Sequence, residues 1–132
     1  MNDRTELARL TVTPSFGAFS LAKLRLKLIQ QGNKCIVEET EQQGRSSKRH
    51  RIMVPLEEVT QRFHDLKKVN IPAFPVSPLV MDGEYVELTI FGEHSTLSLG
   101  WWTTAPEGAE GIREFAEWLR SHACLCSGAA PQ

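Results

Sequence analysis

The sequence predicts an α+β fold, an antiparallel meander sheet of about six strands with two helices packed on one face. Several segments alternate apolar and polar residues, which is the period of a half-buried strand. Two further segments, one after Pro55 and one after Pro106, have the period of an amphipathic helix. The 132 residues, 41% hydrophobic and 23% charged, are typical of one soluble domain. We therefore predict a single domain over residues 1–123 and a loose tail over 124–132.

Four strands are predicted in the first half of the chain. They cover residues 7–13, 21–29, 34–40 and 51–54. In the second of them, Ala22, Leu24, Leu26 and Leu28 alternate with Lys23, Arg25 and Lys27. A helix would distribute these leucines around its circumference, so the pattern favours a strand. The polar segment 41–51, which precedes and overlaps the fourth strand, is predicted to be a mobile hairpin tip.

The first helix is predicted to begin at Pro55, because proline suits the first helical position. Acidic residues in the first turn and basic residues in the last complement the helix dipole. These are Glu57 and Glu58, and Lys67 and Lys68. The apolar stripe consists of Leu56, Val59, Phe63, Leu66 and Val69. Segment 71–81 contains three prolines and predicts an extended connector rather than a central strand.

Segments 85–91 and 94–102 predict a β-hairpin with Gly92 and Glu93 as a two-residue loop. This loop aligns Leu88 with Leu97. The core face then collects Val86, Leu88, Ile90, Leu97, Leu99 and Trp101. Trp102 must point to the opposite face, because adjacent strand residues cannot share a face.

The last helix is predicted from a T-x-x-E capping box, Thr104 with Glu107, followed by an apolar stripe. Gly108 and Gly111 weaken its early turns by up to ~1 kcal/mol each, which favours a start nearer Ala109. The stripe consists of Ile112, Phe115, Ala116 and Leu119, with Trp118 at its edge.

Three short motifs carry a resemblance to known proteins. They are Asp82-Gly83-Glu84-Tyr85 within DGEYVEL, the pair Trp101-Trp102, and PEG at 106–108 before the last helix. Together with the order of elements over residues 7–122, they resemble small stand-alone bacterial proteins, most of them uncharacterised, and are similar to immunity proteins of toxin systems. The resemblance implies a binding role and brings no catalytic residues.

The sequence predicts no catalytic residues, no metal and no cofactor. It contains no G-x-S-x-G, H-E-x-x-H or phosphate-binding glycine loop. In the predicted hairpin, His94 and Asp82 are roughly 20 Å apart at ~3.3 Å per residue, too far for acid–base chemistry together. His122, Cys124 and Cys126 offer three soft ligands, but their C-x-C spacing is too tight for a structural zinc site.

Charge and cysteine content indicate a cytoplasmic protein. The net charge of −1 and the pI near 6.4 give no overall field that would attract nucleic acid or an anionic membrane. The N-terminal residues lack the apolar region of a signal peptide, and no segment approaches the ~18 apolar residues of a membrane span. Three cysteines do not make a disulfide framework, so we expect reduced thiols.

Two groups of residues are candidates for a partner-binding surface. They are Arg45, Lys48 and Arg49 in the polar segment, and Tyr85 and Trp102 on the outer face of the hairpin. The basic group lacks interleaved aromatic residues on which bases could stack, which favours an acidic protein over nucleic acid. The alternative for Trp102 is that it packs under the turn at 103–106, on Trp118 or on the connector.

These observations predict a non-enzymatic protein-interaction module, for which the resemblance implies an immunity or accessory role. The alternative is a small enzyme or ligand-binding domain with a pocket between the 71–81 connector and the last helix. A deep polar pocket with a perturbed histidine or carboxylate would favour the alternative, whereas a shallow surface would favour the interaction module.

Overall fold

Alternating and helical periods in the sequence correspond to six strands and two helices in the described part of the protein. The computed structural model describes residues 4–13, 23–70, 84–102 and 108–123. The elements are β1 (Arg4–Thr13), β2 (Lys23–Gln31), β3 (Lys34–Gln43), β4 (Ser46–Val54), α1 (Leu56–Leu66), β5 (Tyr85–Phe91), β6 (Thr96–Trp102) and α2 (Glu110–Arg120). The predicted connector, the turn at Asp82 and Gly83, the residues Thr104 and Glu107, and the two tail cysteines lie outside the described residues.

The strands form one antiparallel sheet in the order β4-β3-β2-β1-β5-β6. The first four strands make a meander, with Gly32 and Gly44 at positive φ in the turns β2–β3 and β3–β4. The hairpin β5–β6 then pairs with β1, on the side of the sheet opposite to β4. The predicted α+β class, with six antiparallel strands and two helices, is confirmed.

The polar segment 41–51 contains the predicted hairpin tip, but most of it belongs to the paired strands of the sheet. Both strands continue through it, and only Gly44 and Arg45 form the turn. Opposite charges lie directly across the ladder, Glu41 from Lys48 for example. Such cross-strand pairs stabilise a sheet without any apolar residue, and they lengthen β4 beyond the predicted four residues.

The final hairpin is present, but its predicted register is wrong by two residues. Leu88 lies opposite Leu99 rather than Leu97. The loop therefore comprises residues 92–95, and the Gly92 N–H donates to the Ser95 carbonyl at 2.7 Å. A shift of two residues preserves the face of each side chain. Leu97, however, is 41% exposed and lies outside the core, contrary to the prediction.

Both helices begin where the backbone changes conformation rather than at a side-chain cap. Pro55 occupies the N-cap position of α1 instead of its first turn, and Ala109 is the N-cap of α2. The start near Ala109 is as expected, whereas the predicted capping box, Thr104 with Glu107, lies outside the described residues. Gly108, with φ of 89°, immediately precedes this start.

The two helices pack on the same face of the sheet, as predicted. Their contact includes the Phe63 and Phe115 rings, whose centroids are 5.3 Å apart in an edge-to-face arrangement. The core between helices and sheet contains Ala8, Leu10, Val12, Leu24, Leu26, Leu28, Cys35, Val37, Val54, Val59, Val86, Leu88, Trp101, Ile112, Phe115, Ala116, Trp118 and Leu119. We call the opposite side of the sheet the outer face.

Candidate binding surface

The outer face is the larger candidate surface, and strand alternation determines which residues lie on it. Lys23, Arg25 and Lys27 alternate with the buried leucines of β2 and so point outward. Strand pairing then aligns the residues in rows across the sheet. One row contains Thr11, Arg25, Thr40 and Arg49, the next contains Arg9, Lys27, Glu38 and Arg51, and a third contains Ile29, Ile36 and Met53. Basic and apolar rows therefore lie side by side on β2, β3 and β4.

Only part of this positive charge is neutralised within the face. Glu38 binds Arg4 and also Arg51, the latter at 3.1 Å between Nη2 and Oε2. Glu6 accepts two hydrogen bonds from the Arg9 guanidinium, at 2.7 and 2.9 Å. Among the described residues, no carboxylate lies within ion-pair distance of the remaining basic side chains of the middle rows. These are Arg25, Lys27 and Arg49, and they leave an uncompensated positive patch.

The apolar row ends at an exposed methionine. Ile29 is buried and Ile36 is half-buried, although both are on the outer face. Met53, next in the row, is 62% exposed on β4. Flexible methionine side chains on a surface adapt to the shape of a partner, so this position is suited to contact.

Tyr85 and Trp102 form an aromatic pair at the other end of the outer face. They lie directly opposite each other on β5 and β6, with ring centroids 5.2 Å apart and both side chains half-buried. The Tyr85 ring lies over Gly100, where a β-carbon would be 2.0 Å from the phenol oxygen. Glycine in LGWW therefore makes room for the tyrosine.

The three tryptophans have different surroundings. Trp101 is buried on the helix-covered face, as the alternation predicts, and Trp102 lies on the outer face. Trp118 packs among the helices, with its ring 5.4 Å from Phe115 and 5.2 Å from His122. Trp102 and Trp118 thus lie on opposite sides of the sheet, which contradicts the alternative in which they pack together. The turn and the connector lie outside the described part of the chain.

The predicted partner-binding residues do not form one cluster. Arg49 is on the outer face, whereas its neighbour Lys48 points to the other face and Arg45 is in the turn. Trp102 is at the far edge, five strand spacings from Arg49, or roughly 24 Å at ~4.8 Å per spacing.

The basic residues of β2, between these two groups, were absent from the predicted site. The signal for them is the K-x-R-x-K spacing of residues 23–27, which places three cations on one face. The strand order then places β2 two strands from β4, with these cations on the same face of the sheet as Arg49.

The helix side of the described structure contains clefts. Between α2 and the sheet lies a cavity of about 90 Å³ with Glu84, Arg113 and Arg120 among its lining residues. The Arg120 guanidinium binds the Glu84 carboxylate there through two contacts, one of them 3.0 Å. Two of the charged groups of this cavity therefore pair with each other. The pocket of the enzyme alternative involves the 71–81 connector, which lies outside the described residues.

Two titratable groups in the helix layer and core have shifted pKa values. Burial lowers the pKa of His122, an effect that Glu58 opposes and Arg62 reinforces. Burial raises the pKa of the Cys35 thiol, which keeps it protonated and unreactive. Within residues 4–13, 23–70, 84–102 and 108–123, no three His, Cys, Asp or Glu side chains cluster so as to hold a metal.

No protein-family model and no curated protein matches this chain. Among the described residues, no helix combines the length and the apolar character needed to cross a membrane.

Proposed function

We propose that the chain is a non-enzymatic protein-binding module whose outer sheet face binds an acidic partner protein. The observation that carries the proposal is the separation of charge. The whole chain has a net charge of −1, yet the described residues of the outer face include eight basic side chains and three carboxylates. The basic residues are Arg4, Arg9, Lys23, Arg25, Lys27, Lys34, Arg49 and Arg51, and the acidic ones are Glu6, Glu38 and Glu87. Such a patch accelerates association with an acidic surface and selects against basic ones.

The apolar row favours a protein over a nucleic acid as the partner. Protein interfaces combine apolar contacts with arginine, which matches the neighbouring rows that contain Met53 and Arg51. Single-stranded nucleic acid instead requires open aromatic faces for stacking. The aromatic rings of the outer face are instead in contact with other side chains. The Tyr85 and Trp102 rings contact each other, and the Arg9 guanidinium lies over the Phe91 ring at 5.7 Å.

One interface of ordinary size can include both ends of the outer face. An interface that buries about 800 Å² per partner is roughly 30 Å across, slightly more than the distance from Arg49 to Trp102. The proposal therefore places Arg49, with Arg45 of the adjacent turn, at one end of the contact and Tyr85 with Trp102 at the other. Lys48 points to the opposite face and is not part of this contact.

The proposal includes an immunity or accessory role in the bacterial cytoplasm. The similarity of the DGEYVEL and Trp101-Trp102 motifs to immunity proteins supports the role. The free, buried thiol of Cys35 supports a reducing compartment. Nucleic acid and membrane are not part of the proposed partner set.

The test is crosslinking capture from cells of the source organism, with wild-type chain and two charge-matched variants. Arg49→Glu reverses a charge on the outer face, and Arg113→Glu reverses one on the exposed side of α2. We expect a protein that wild type and Arg113→Glu capture equally, whereas Arg49→Glu reduces the capture about tenfold, most strongly at low salt.

Two results would contradict the proposal. Equal loss in both variants would mean that the partner does not distinguish the outer face from the helices. The other result is capture of nucleic acid without protein, abolished by nuclease. The partner would then be a nucleic acid and not an acidic protein.

A further inference from the structure

Within the described residues, strand β4 has a free edge. It is the terminal strand of the sheet, and no element in the described part of the chain pairs with its outer side. Side chains from Ser46 to Arg49 are all exposed, as are those of Arg51 and Met53. In an antiparallel sheet, alternate residues of a terminal strand direct their N–H and C=O groups away from the sheet, and these groups can bond another strand.

Strand β3, the neighbour of β4 within the sheet, shows which kind of strand pairs with β4. On β3, three glutamates lie directly opposite basic or titratable residues of β4. The pairs are Glu38 with Arg51, Glu39 with His50, and Glu41 with Lys48. Opposite charges across a ladder stabilise pairing, so β4 is already matched to an acidic strand on one side.

The basic residues of β4 are available from both faces of the sheet. Arg49 and Arg51 point to the outer face, whereas Lys48 and His50 point to the other face. A strand added at the edge would meet positive charge above and below its own plane. A second copy of β4 would instead bring like charges together, which is destabilising, so the arrangement selects against self-pairing.

We infer that the free edge of β4 binds an extended acidic segment of the partner protein, which adds a seventh strand to the sheet. The inference rests on the proposed function and specifies how the partner is held, since backbone pairing gives affinity and alternating side chains give specificity. The opposite edge differs, because β6 contains no charged residue and offers no such selection.

The experiment uses the chain's own β3 as the model of an acidic strand. The probe is a ten-residue peptide that copies Lys34–Gln43 with serine in place of Cys35. A control peptide has glutamine at the three glutamate positions. Each is added to the isotopically labelled full chain, and backbone amide exchange and affinity are measured by NMR.

We expect the acidic peptide to slow the exchange of alternate β4 amides. The glutamine peptide should bind about tenfold more weakly. Lys48→Glu and Arg49→Glu, on opposite faces of the same strand, should each weaken binding by a similar factor. Arg113→Glu on α2 should leave binding unchanged.

Several results would overturn the inference. If Arg49→Glu weakens binding, Lys48→Glu does not, and β4 exchange stays unchanged, acidic chains bind the outer face but not the edge; the proposed function would then survive alone. Three results would each exclude edge pairing. They are slowed exchange on β6, faster exchange of the chain's own β3 amides because the peptide replaces β3, and no binding at millimolar peptide.

Discussion

His122 shows how a single residue couples the helix layer to pH. It lies between the helices, with Nε2 3.9 Å from a Glu58 carboxylate oxygen and its ring against Trp118. Burial lowers its pKa, Glu58 raises it less, and Arg62 from the same helix as Glu58 lowers it further. The folded protein therefore binds the proton less tightly than the unfolded chain does.

We predict that folding stability decreases as the pH falls below about 6.5, the unfolded pKa of histidine. Because the folded pKa is the lower one, protonation favours unfolding, and the loss is absent above that pH. Urea unfolding from pH 8 to pH 5 measures it. His122→Gln should reduce the slope, whereas His94→Gln, at a side chain that is 89% exposed, should not. An unchanged slope in His122→Gln would show that other groups cause the acid sensitivity.

At the scale of elements, the β5–β6 hairpin has the predicted faces but not the predicted register. Each residue is on the face that alternation predicts. The loop, however, is two residues longer than the predicted loop of Gly92 and Glu93. Leu88 is 1% exposed, whereas Leu97 is 41% exposed.

We predict that Leu88→Asp unfolds the domain, whereas Leu97→Asp and Thr96→Asp are tolerated. An unpaired carboxylate buried at residue 88 costs several kcal/mol, comparable with the ~5–15 kcal/mol total stability of a domain. The carboxylate at residue 97 stays hydrated. Thermal melts distinguish the cases, and a Leu97→Asp melt that resembles Leu88→Asp would restore the two-residue loop.

At the scale of the whole molecule, Phe115 joins the layers. It belongs to α2 and is buried in the core, where its ring contacts Phe63 of α1 and Trp118. One core cluster contains residues of both helices and the sheet, which indicates a single cooperative unit.

We predict that Phe115→Ala destabilises the whole domain by about 3–5 kcal/mol, the usual cost of removing a buried ring. Far-ultraviolet circular dichroism and tryptophan fluorescence should still change in one shared transition. Glu114→Ala, at the exposed neighbouring position, should remain within about 0.5 kcal/mol of wild type. Separate transitions for the two signals would mean that the helices unfold independently of the sheet.

The sequence by itself determined the elements and their buried faces. Periods of 2 and 3.6 residues directly reflect which side chains can leave water, so the leucines of β2 and the stripe of α2 could be identified without neighbours. The same alternation predicted that Trp101 and Trp102 point to opposite faces. Local patterns also favoured the start of α2 near Ala109.

Only the tertiary structure decided which residues meet. The extension of β4 through its basic residues depends on the glutamates of β3, and charge pairs across strands leave no periodic apolar signal. The loop of residues 92–95 depends on the pairing of Leu88 with Leu99, since a shift of two residues leaves the alternation unchanged. The basic outer face arises because strand order places β2 between β1 and β3, and order is set by packing between distant segments rather than by any one of them.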